Sequence, residues 1–305
     1  MTSTTNAPNT LIKEKVQVYI AKRIALGDPK NKIAKHLGIS HAHLLSMERG
    51  EWQKVSNDLL NTIAGQLRLH DWSIVNTPNF AKIKLLCEDA HLNKRFLAIA
   101  GYTGGGKTTA LRHYAENNKD VAYIHANVLM NRKDLLAAIL NALDLDKEGT
   151  AAAMMQSIIQ KLLSLNNPCV IIDDAGKLHD NCLRLLQLIY DETENQCGIV
   201  IAGTEKMKNN IDKFATRDKL GFKELKRRIA YWLPLSRPRE NTIKHIAAHY
   251  SITDTKAISF LHKNATDYGT LRNYITNALK AANGQPITVE VLAALQLGDR
   301  DYRNE

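Results

Sequence analysis

The feature that most constrains the fold is a glycine-rich segment between an apolar run and a helical pattern. Residues 101–108 read Gly-Tyr-Thr-Gly-Gly-Gly-Lys-Thr and fit G-x-x-x-x-G-K-[ST]. Glycines let consecutive backbone N–H groups surround phosphate oxygens at the start of the following helix. This strand-loop-helix context favours a nucleotide phosphate site over a chance glycine-rich turn. The predicted loop residues are Gly101, Thr103, Gly104, Gly105, Gly106, Lys107, Thr108 and Thr109.

Two residues of the loop have predicted chemical roles. Lys107 is expected to contact the β- and γ-phosphates, because a cation there neutralises charge on the transferred group. Thr108 is expected to hold Mg²⁺ through its hydroxyl. The loop therefore predicts ATP and Mg²⁺ as cofactors.

A second acidic element is expected to complete the metal site. Residues 169–174 read Cys-Val-Ile-Ile-Asp-Asp, a buried strand that ends in two carboxylates. Asp173 is predicted to orient the Mg²⁺ shell, and Asp174 to align the attacking water. The alternative is that Asp174 caps the next helix.

The order of apolar and amphipathic segments predicts an α/β fold with a three-layer core and a largely parallel sheet. The candidate strands are 95–100, 121–126, 169–173, 199–203 and 229–233. Four helical segments follow, at 240–250, 254–264, 270–282 and 288–297. The predicted organisation is a disordered arm at 1–10, an all-α domain at 11–70, a linker at 71–79, the core at 80–235 and a helical lid at 236–305.

The N-terminal domain has the pattern of a helix-turn-helix. Two short helices, at 30–37 and 41–49, are joined through Gly38. The segment resembles repressor-type DNA-binding domains, in which the second helix enters the major groove. Ser40, His41 and His43 are therefore candidate DNA contacts. A helical protein-interaction module is the alternative reading.

Composition excludes several classes of protein. The chain has 305 residues, with 41 Lys and Arg against 31 Asp and Glu, so its net charge is +10. No apolar run approaches the ~18 residues of a membrane span, and the N-terminus lacks a signal-peptide pattern. We expect a cytoplasmic protein with an anionic partner. The four cysteines lack metal-site spacing, which favours buried free thiols.

The motifs together resemble the AAA+ ATPases. In that fold the strand after the acidic strand ends in a polar sensor residue, here Thr204, and the helical lid returns an arginine to the nucleotide, here Arg272 in Gly-Thr-Leu-Arg. The resemblance also implies an arginine finger from a neighbouring subunit, with Arg228 the first candidate and Arg227 the second. Each residue has a plainer alternative: Thr204 caps a loop, and the arginines are surface residues.

Within this class the chain resembles the MuB-like target-DNA ATPases of transposition, which are related to TnsC and IstB. The matching segments are the N-terminal domain, the phosphate loop, the paired acids, Phe222 to Ile229 and Gly269 to Arg272. The resemblance implies ATP-dependent, largely nonspecific binding to double-stranded DNA as a filament of identical subunits. It also implies delivery of that DNA to a transposase, with ATP hydrolysis removing the filament.

The resemblance places DNA contacts on loops of the ATPase core. The corresponding basic residues are Arg132 and Lys133 after the second strand, and Lys206 and Lys208 after the sensor strand. Solvated helix starts explain these residues equally well. Two other functions remain open: a DnaC-like helicase loader, and a transcription regulator whose nucleotide domain is a non-hydrolysing switch.

Overall fold

The structure is a computed structural model that describes residues 7–67, 74–193, 196–282 and 285–301. The chain divides into two compact units, and the boundary in sequence falls between residues 73 and 74; residues 116–118 group with the first unit. Among the described residues, no helix combines the length and the hydropathy required to cross a membrane.

The first unit is all-α. Its helices are α1 (Ala7–Ala25), α2 (Lys30–His36), α3 (His41–Glu48) and α4 (Asn57–Gln66). Apolar residues from all four form one small core, which includes Val16, Ile33, Leu44 and Leu60. Gly38, with a φ of +62°, joins α2 to α3 in a conformation that glycine adopts without strain.

Helix α1 corrects one expectation. The predicted disordered arm covered residues 1–10, but α1 begins at Ala7, and residues 1–6 lie outside the described part. The proline at position 8 suggested disorder, yet proline is well tolerated in the first turn of a helix, where its missing N–H would have no partner.

The second unit holds a parallel sheet of five strands. The strands are β1 (Phe96–Ala100), β2 (Val121–His125), β3 (Cys169–Asp173), β4 (Gly198–Gly203) and β5 (Tyr231–Pro234). Their order across the sheet is β2-β3-β4-β1-β5, and every pairing is parallel. The predicted strands are confirmed to within one or two residues at each end, as expected for strands buried on both faces.

Helices cover both faces of the sheet and follow it in sequence. They are α5 (Pro78–Asn93), α6 (Lys107–Asn117), α7 (Arg132–Ala142), α8 (Ala151–Ser164), α9 (Asp180–Glu192), α10 (Glu205–Thr216), α11 (Phe222–Arg228), α12 (Glu240–His249), α13 (Thr255–Asn264), α14 (Tyr268–Ala282) and α15 (Val289–Asp301). Alternate strand residues pack on α5 and α6 on one face and on α7 to α11 on the other. The predicted three-layer α/β core is confirmed, and α12 to α15 follow it.

Helix α5 enters what the sequence suggested was a linker at 71–79. Residues 71–73 lie outside the described part, but α5 begins at Pro78, and the Thr77 hydroxyl accepts a hydrogen bond from the Phe80 N–H as its N-cap. Threonine followed by proline is a helix-start signal. Asn79 therefore belongs to the second unit.

Candidate functional site: the phosphate loop and the acidic strand

The phosphate loop connects β1 to α6 at the carboxyl edge of the sheet. Gly104 and Gly106 have φ values of +81° and +86°, so both need the left-handed conformation that suits glycine. Gly101 is required for a different reason: a Cβ there would overlap the Leu235 side chain, at 2.7 Å. A Cβ on Gly106 would meet nothing within 4 Å, so its left-handed φ, and not crowding, is what requires glycine at that position.

Lys107 is the first residue of α6 and is held inside the loop. Its side chain is buried, with only 7% of the residue exposed, and Nζ donates hydrogen bonds to the carbonyls of Gly101 and Tyr102, each at 2.8 Å. Burial lowers the pKa of Lys107, while Asp173 and Asp174 act in the opposite direction. The ammonium group is therefore positioned by neutral acceptors that an anion can replace.

Asn79 fastens the loop from α5. Its amide nitrogen donates to the carbonyls of Gly105 and Ser236, at 3.3 and 2.9 Å, and its oxygen accepts from the Ser236 N–H. Asn79 is almost fully buried. Buried amides of this kind fix backbone geometry because an unpaired group would be costly. Sequence analysis missed this residue because it assigned position 79 to a linker.

The acidic pair lies at the carboxyl end of β3. Asp173 is fully buried; its Oδ2 accepts a hydrogen bond from the Tyr123 hydroxyl at 2.9 Å and lies 3.3 Å from His125 Nδ1. Carboxylate and hydroxyl oxygens are the ligands that Mg²⁺ prefers. The donor set of Asp173 and Thr108 therefore fits this metal.

Asp174 is held differently from its neighbour. It has a φ of 56°, a left-handed conformation that aspartate adopts more readily than most residues, and its Oδ2 forms an ion pair with Lys177 at 2.7 Å. His125 Nε2 lies 3.8 Å from the same oxygen. Asp174 also occupies the N-cap position of a 3₁₀ turn, although its side chain makes no capping hydrogen bond.

Thr204 and the start of α14 lie near the phosphate loop. Thr204 directly follows β4, and the end of this strand is bonded to the loop through the Gly101 N–H and the Gly203 carbonyl. From α14, the Tyr268 N–H donates to the Gly104 carbonyl at 3.1 Å. Arg272 is exposed one turn further along α14.

Three comparisons with known proteins agree with this geometry. Residues 90–210 match the family model described as AAA domain. Over 203 residues the chain is 25% identical to the ATP-dependent target DNA activator B of Escherichia phage Mu and to that of Escherichia phage D108. Each match covers 65% of this chain and 62% of the relative, so the chain matches less than two thirds of these relatives' length.

The comparison with solved structures concerns the fold alone. The structure of the Aeropyrum pernix ORC2 protein with ADPNP and ADP superposes with a TM-score of 0.53 at 15% identity, covering 73% of this chain and 68% of that one. The chain thus resembles AAA-domain ATPases in fold and the phage target DNA activator B proteins in sequence.

The candidate arginine fingers lie in α11. Arg228 Nε pairs with Asp191 Oδ1 at 2.5 Å, which links α11 to α9. Arg227 is exposed, and no ion pair is recorded for it within the described ranges. The sequence ranked Arg228 first, but among the described residues Arg228 has a carboxylate partner that it would have to release, which favours Arg227 as the finger.

The predicted DNA contacts fall into two groups. Arg132, Lys133 and Lys206 are exposed at the starts of α7 and α10. Lys208 instead pairs with Asp212 at 3.2 Å and lies over the Trp232 ring. In the first unit, Ser40 is the N-cap of α3 and accepts from the His43 N–H, while His41 is exposed.

Proposed function

We propose that the chain is an ATP-dependent DNA-binding ATPase that assembles on double-stranded DNA and presents it to a transposase. The observation that carries the proposal is the phosphate loop with Lys107, next to the buried Asp173, in a chain similar to the phage Mu target DNA activator B. We expect it to act in the cytoplasm with Mg²⁺·ATP.

Binding a nucleotide requires Lys107 to exchange its two carbonyl acceptors for phosphate oxygens. The triphosphate would take the place of the Gly101 and Tyr102 carbonyls, and the loop N–H groups and the start of α6 would share the remaining charge. Thr108 and Asp173 would hold the magnesium ion, which neutralises charge on the phosphates. The lid reaches the same loop through Tyr268, so we expect nucleotide to change the lid contact.

Hydrolysis requires Asp174 to act on water. In the structure its carboxylate is paired with Lys177, so this ion pair has to open before Asp174 can align a nucleophile. Aspartate is about one methylene shorter than the glutamate common in this class, which predicts slow turnover. A cation from an adjacent subunit, with Arg227 or Arg228 as source, would offset charge in the transition state.

DNA binding is assigned to basic residues at one edge of the sheet. β2, β3 and β4 are adjacent and parallel, so the segments that follow them, including Arg132, Lys133 and Lys206, emerge at the same edge. Contacts from Lys and Arg to phosphate carry little sequence information. We therefore expect largely nonspecific binding. The helix-turn-helix of the first unit supplies a second candidate surface through His41 and His43.

DNase footprinting tests this proposal against the regulator alternative, which the Asp174–Lys177 ion pair favours because it occupies the carboxylate that would align water. Random-sequence and defined duplexes are compared with and without ATP. ATP-dependent protection that grows with duplex length supports assembly on DNA. A single protected site that does not depend on ATP would establish the regulator instead.

A further inference from the structure

The carboxylate of Asp173 is oriented before any ligand arrives. Its Oδ1 accepts the Asp174 backbone N–H at 2.9 Å, and its Oδ2 accepts the Tyr123 hydroxyl at 2.9 Å, with His125 Nδ1 at 3.3 Å. A carboxylate has about four acceptor positions. These three neighbours occupy most of them, so the remaining position has a fixed direction.

Strand pairing is what places Tyr123 at this carboxylate. His125 is paired in register with Asp173, and Tyr123 with Ile171. Tyr123 and His125 are two residues apart, so they share one face of β2, and the Tyr123 side chain is long enough to reach Asp173 diagonally. Burial and then Asp173 raise the pKa of Tyr123, so its hydroxyl keeps the proton it donates.

Arg112 joins the Tyr123 ring to the helix of the phosphate loop. The guanidinium carbon of Arg112 lies 5.7 Å from the ring centroid, within the range of a cation–π contact. Arg112 belongs to α6, which begins at Lys107. Tyr123 therefore lies between the helix that bears Lys107 and the strand that bears Asp173.

We propose that Tyr123 is a positioning residue that sets the orientation of Asp173 toward the magnesium ion, with Arg112 bracing its ring. This inference rests on the proposed function, because it assumes that Asp173 serves Mg²⁺·ATP. Residues that hydrogen-bond to a metal ligand change metal affinity by about 10- to 100-fold when lost. Tyr123 is expected to fall at the lower end of that range, because His125 and the Asp174 N–H remain.

The test is Tyr123→Phe, which removes one hydroxyl and leaves the ring. Binding of a fluorescent ATP analogue is measured over a series of Mg²⁺ concentrations, and the Mg²⁺ midpoint is compared with that of the unmodified chain. We expect a rise of about 10-fold in the midpoint, with analogue affinity at saturating Mg²⁺ nearly unchanged.

The matched control is Tyr190→Phe. The Tyr190 hydroxyl also makes one hydrogen bond, to the Lys94 carbonyl at 3.2 Å, and its ring packs edge-on against Phe96. Removing this hydroxyl is expected to affect thermal stability only. Arg112→Gln is the second variant, expected to raise the midpoint a few-fold by loosening the Tyr123 ring.

The outcomes are distinct. The proposal is overturned by an unchanged midpoint in Tyr123→Phe, or by an equal rise in Tyr190→Phe. If Tyr123→Phe does not fold, an unchanged midpoint in Arg112→Gln overturns it. Failure of the unmodified chain to bind the analogue in a Mg²⁺-dependent way would instead refute the proposed function.

Discussion

Lys107 in the phosphate loop and the arginines of α11 are held in opposite ways. Lys107 is buried and donates to two neutral carbonyls. Arg228 is partly exposed and paired with the carboxylate of Asp191. A phosphate can replace a carbonyl at Lys107 with a gain in charge interaction, whereas Arg228 has to give up an anion before it can reach one.

The groups expected to bind nucleotide are thus ready to do so, whereas those expected to hydrolyse it first have to release a partner. The groups expected to bind Mg²⁺·ATP, namely Lys107, Thr108 and Asp173, come from one protomer, where they lie at or after the carboxyl ends of β1 and β3. For hydrolysis, Asp174 is tied to Lys177, and the candidate fingers lie on α11. We infer that nucleotide binding is a property of the protomer and that rapid turnover is a property of the assembly.

The largest expected effect is that of Lys107→Ala. Removing a buried cation from the phosphate site is predicted to weaken ATP binding at least about 100-fold, because a charge-assisted contact of ~3 kcal/mol is lost. ATP-dependent DNA binding should disappear with it. Equilibrium titration with labelled nucleotide measures this, with Lys263→Ala, an exposed lysine of the lid, as the control. Unchanged affinity in Lys107→Ala would refute the assigned role.

Asp174→Asn is expected to separate the two properties. Nucleotide binding should persist, while turnover falls about 10²- to 10⁴-fold through loss of the group that aligns water. Phosphate release in the presence of DNA measures turnover. Asp180→Asn is the matched control, because Asp180 is also an aspartate paired with a lysine, Lys219. Equal turnover in the two variants would remove Asp174 from the mechanism.

Variants of the two α11 arginines test which of them contributes to turnover. We expect Arg227→Ala to lower turnover by about 10³-fold if it is the finger, and Arg228→Ala mainly to loosen the contact between α11 and α9. Mixing Arg227→Ala with Lys107→Ala protomers should restore some turnover, since each supplies what the other lacks. If mixing restores nothing and Arg227→Ala alone turns over normally, Arg227 is only a surface residue.

The smallest effect is expected at the lysines proposed to contact DNA. Lys133→Ala should lower the slope of log affinity against log salt by about 0.9, the value for one lost phosphate contact. Lys208→Ala should lower this slope less, because Lys208 already forms an ion pair with Asp212. Fluorescence anisotropy on a random-sequence duplex at several salt concentrations measures both slopes. Equal slopes for Lys133→Ala and the unmodified chain would argue against DNA binding at this edge of the sheet.

Local patterns predicted the sheet, the phosphate loop and Asp173. Those features depend on contiguous residues: an apolar run, spaced glycines, a carboxylate at a strand end. Tyr123 and His125 were not identified, because their contact with Asp173 depends on the register between β2 and β3. The ion pair of Arg228 with Asp191 spans 37 residues and leaves no local signal either. The Thr77-Pro78 pair is a helix-start signal that could have placed Asn79 in α5. The sequence prediction instead assigned both residues to a linker.

Electron microscopy of the chain on long duplex DNA tests the central claim most directly. The account predicts continuous protein coverage of the DNA with Mg²⁺·ATP, bare DNA without nucleotide, and bare DNA for Lys107→Ala under either condition. Isolated protomers scattered on the duplex at saturating Mg²⁺·ATP would contradict it.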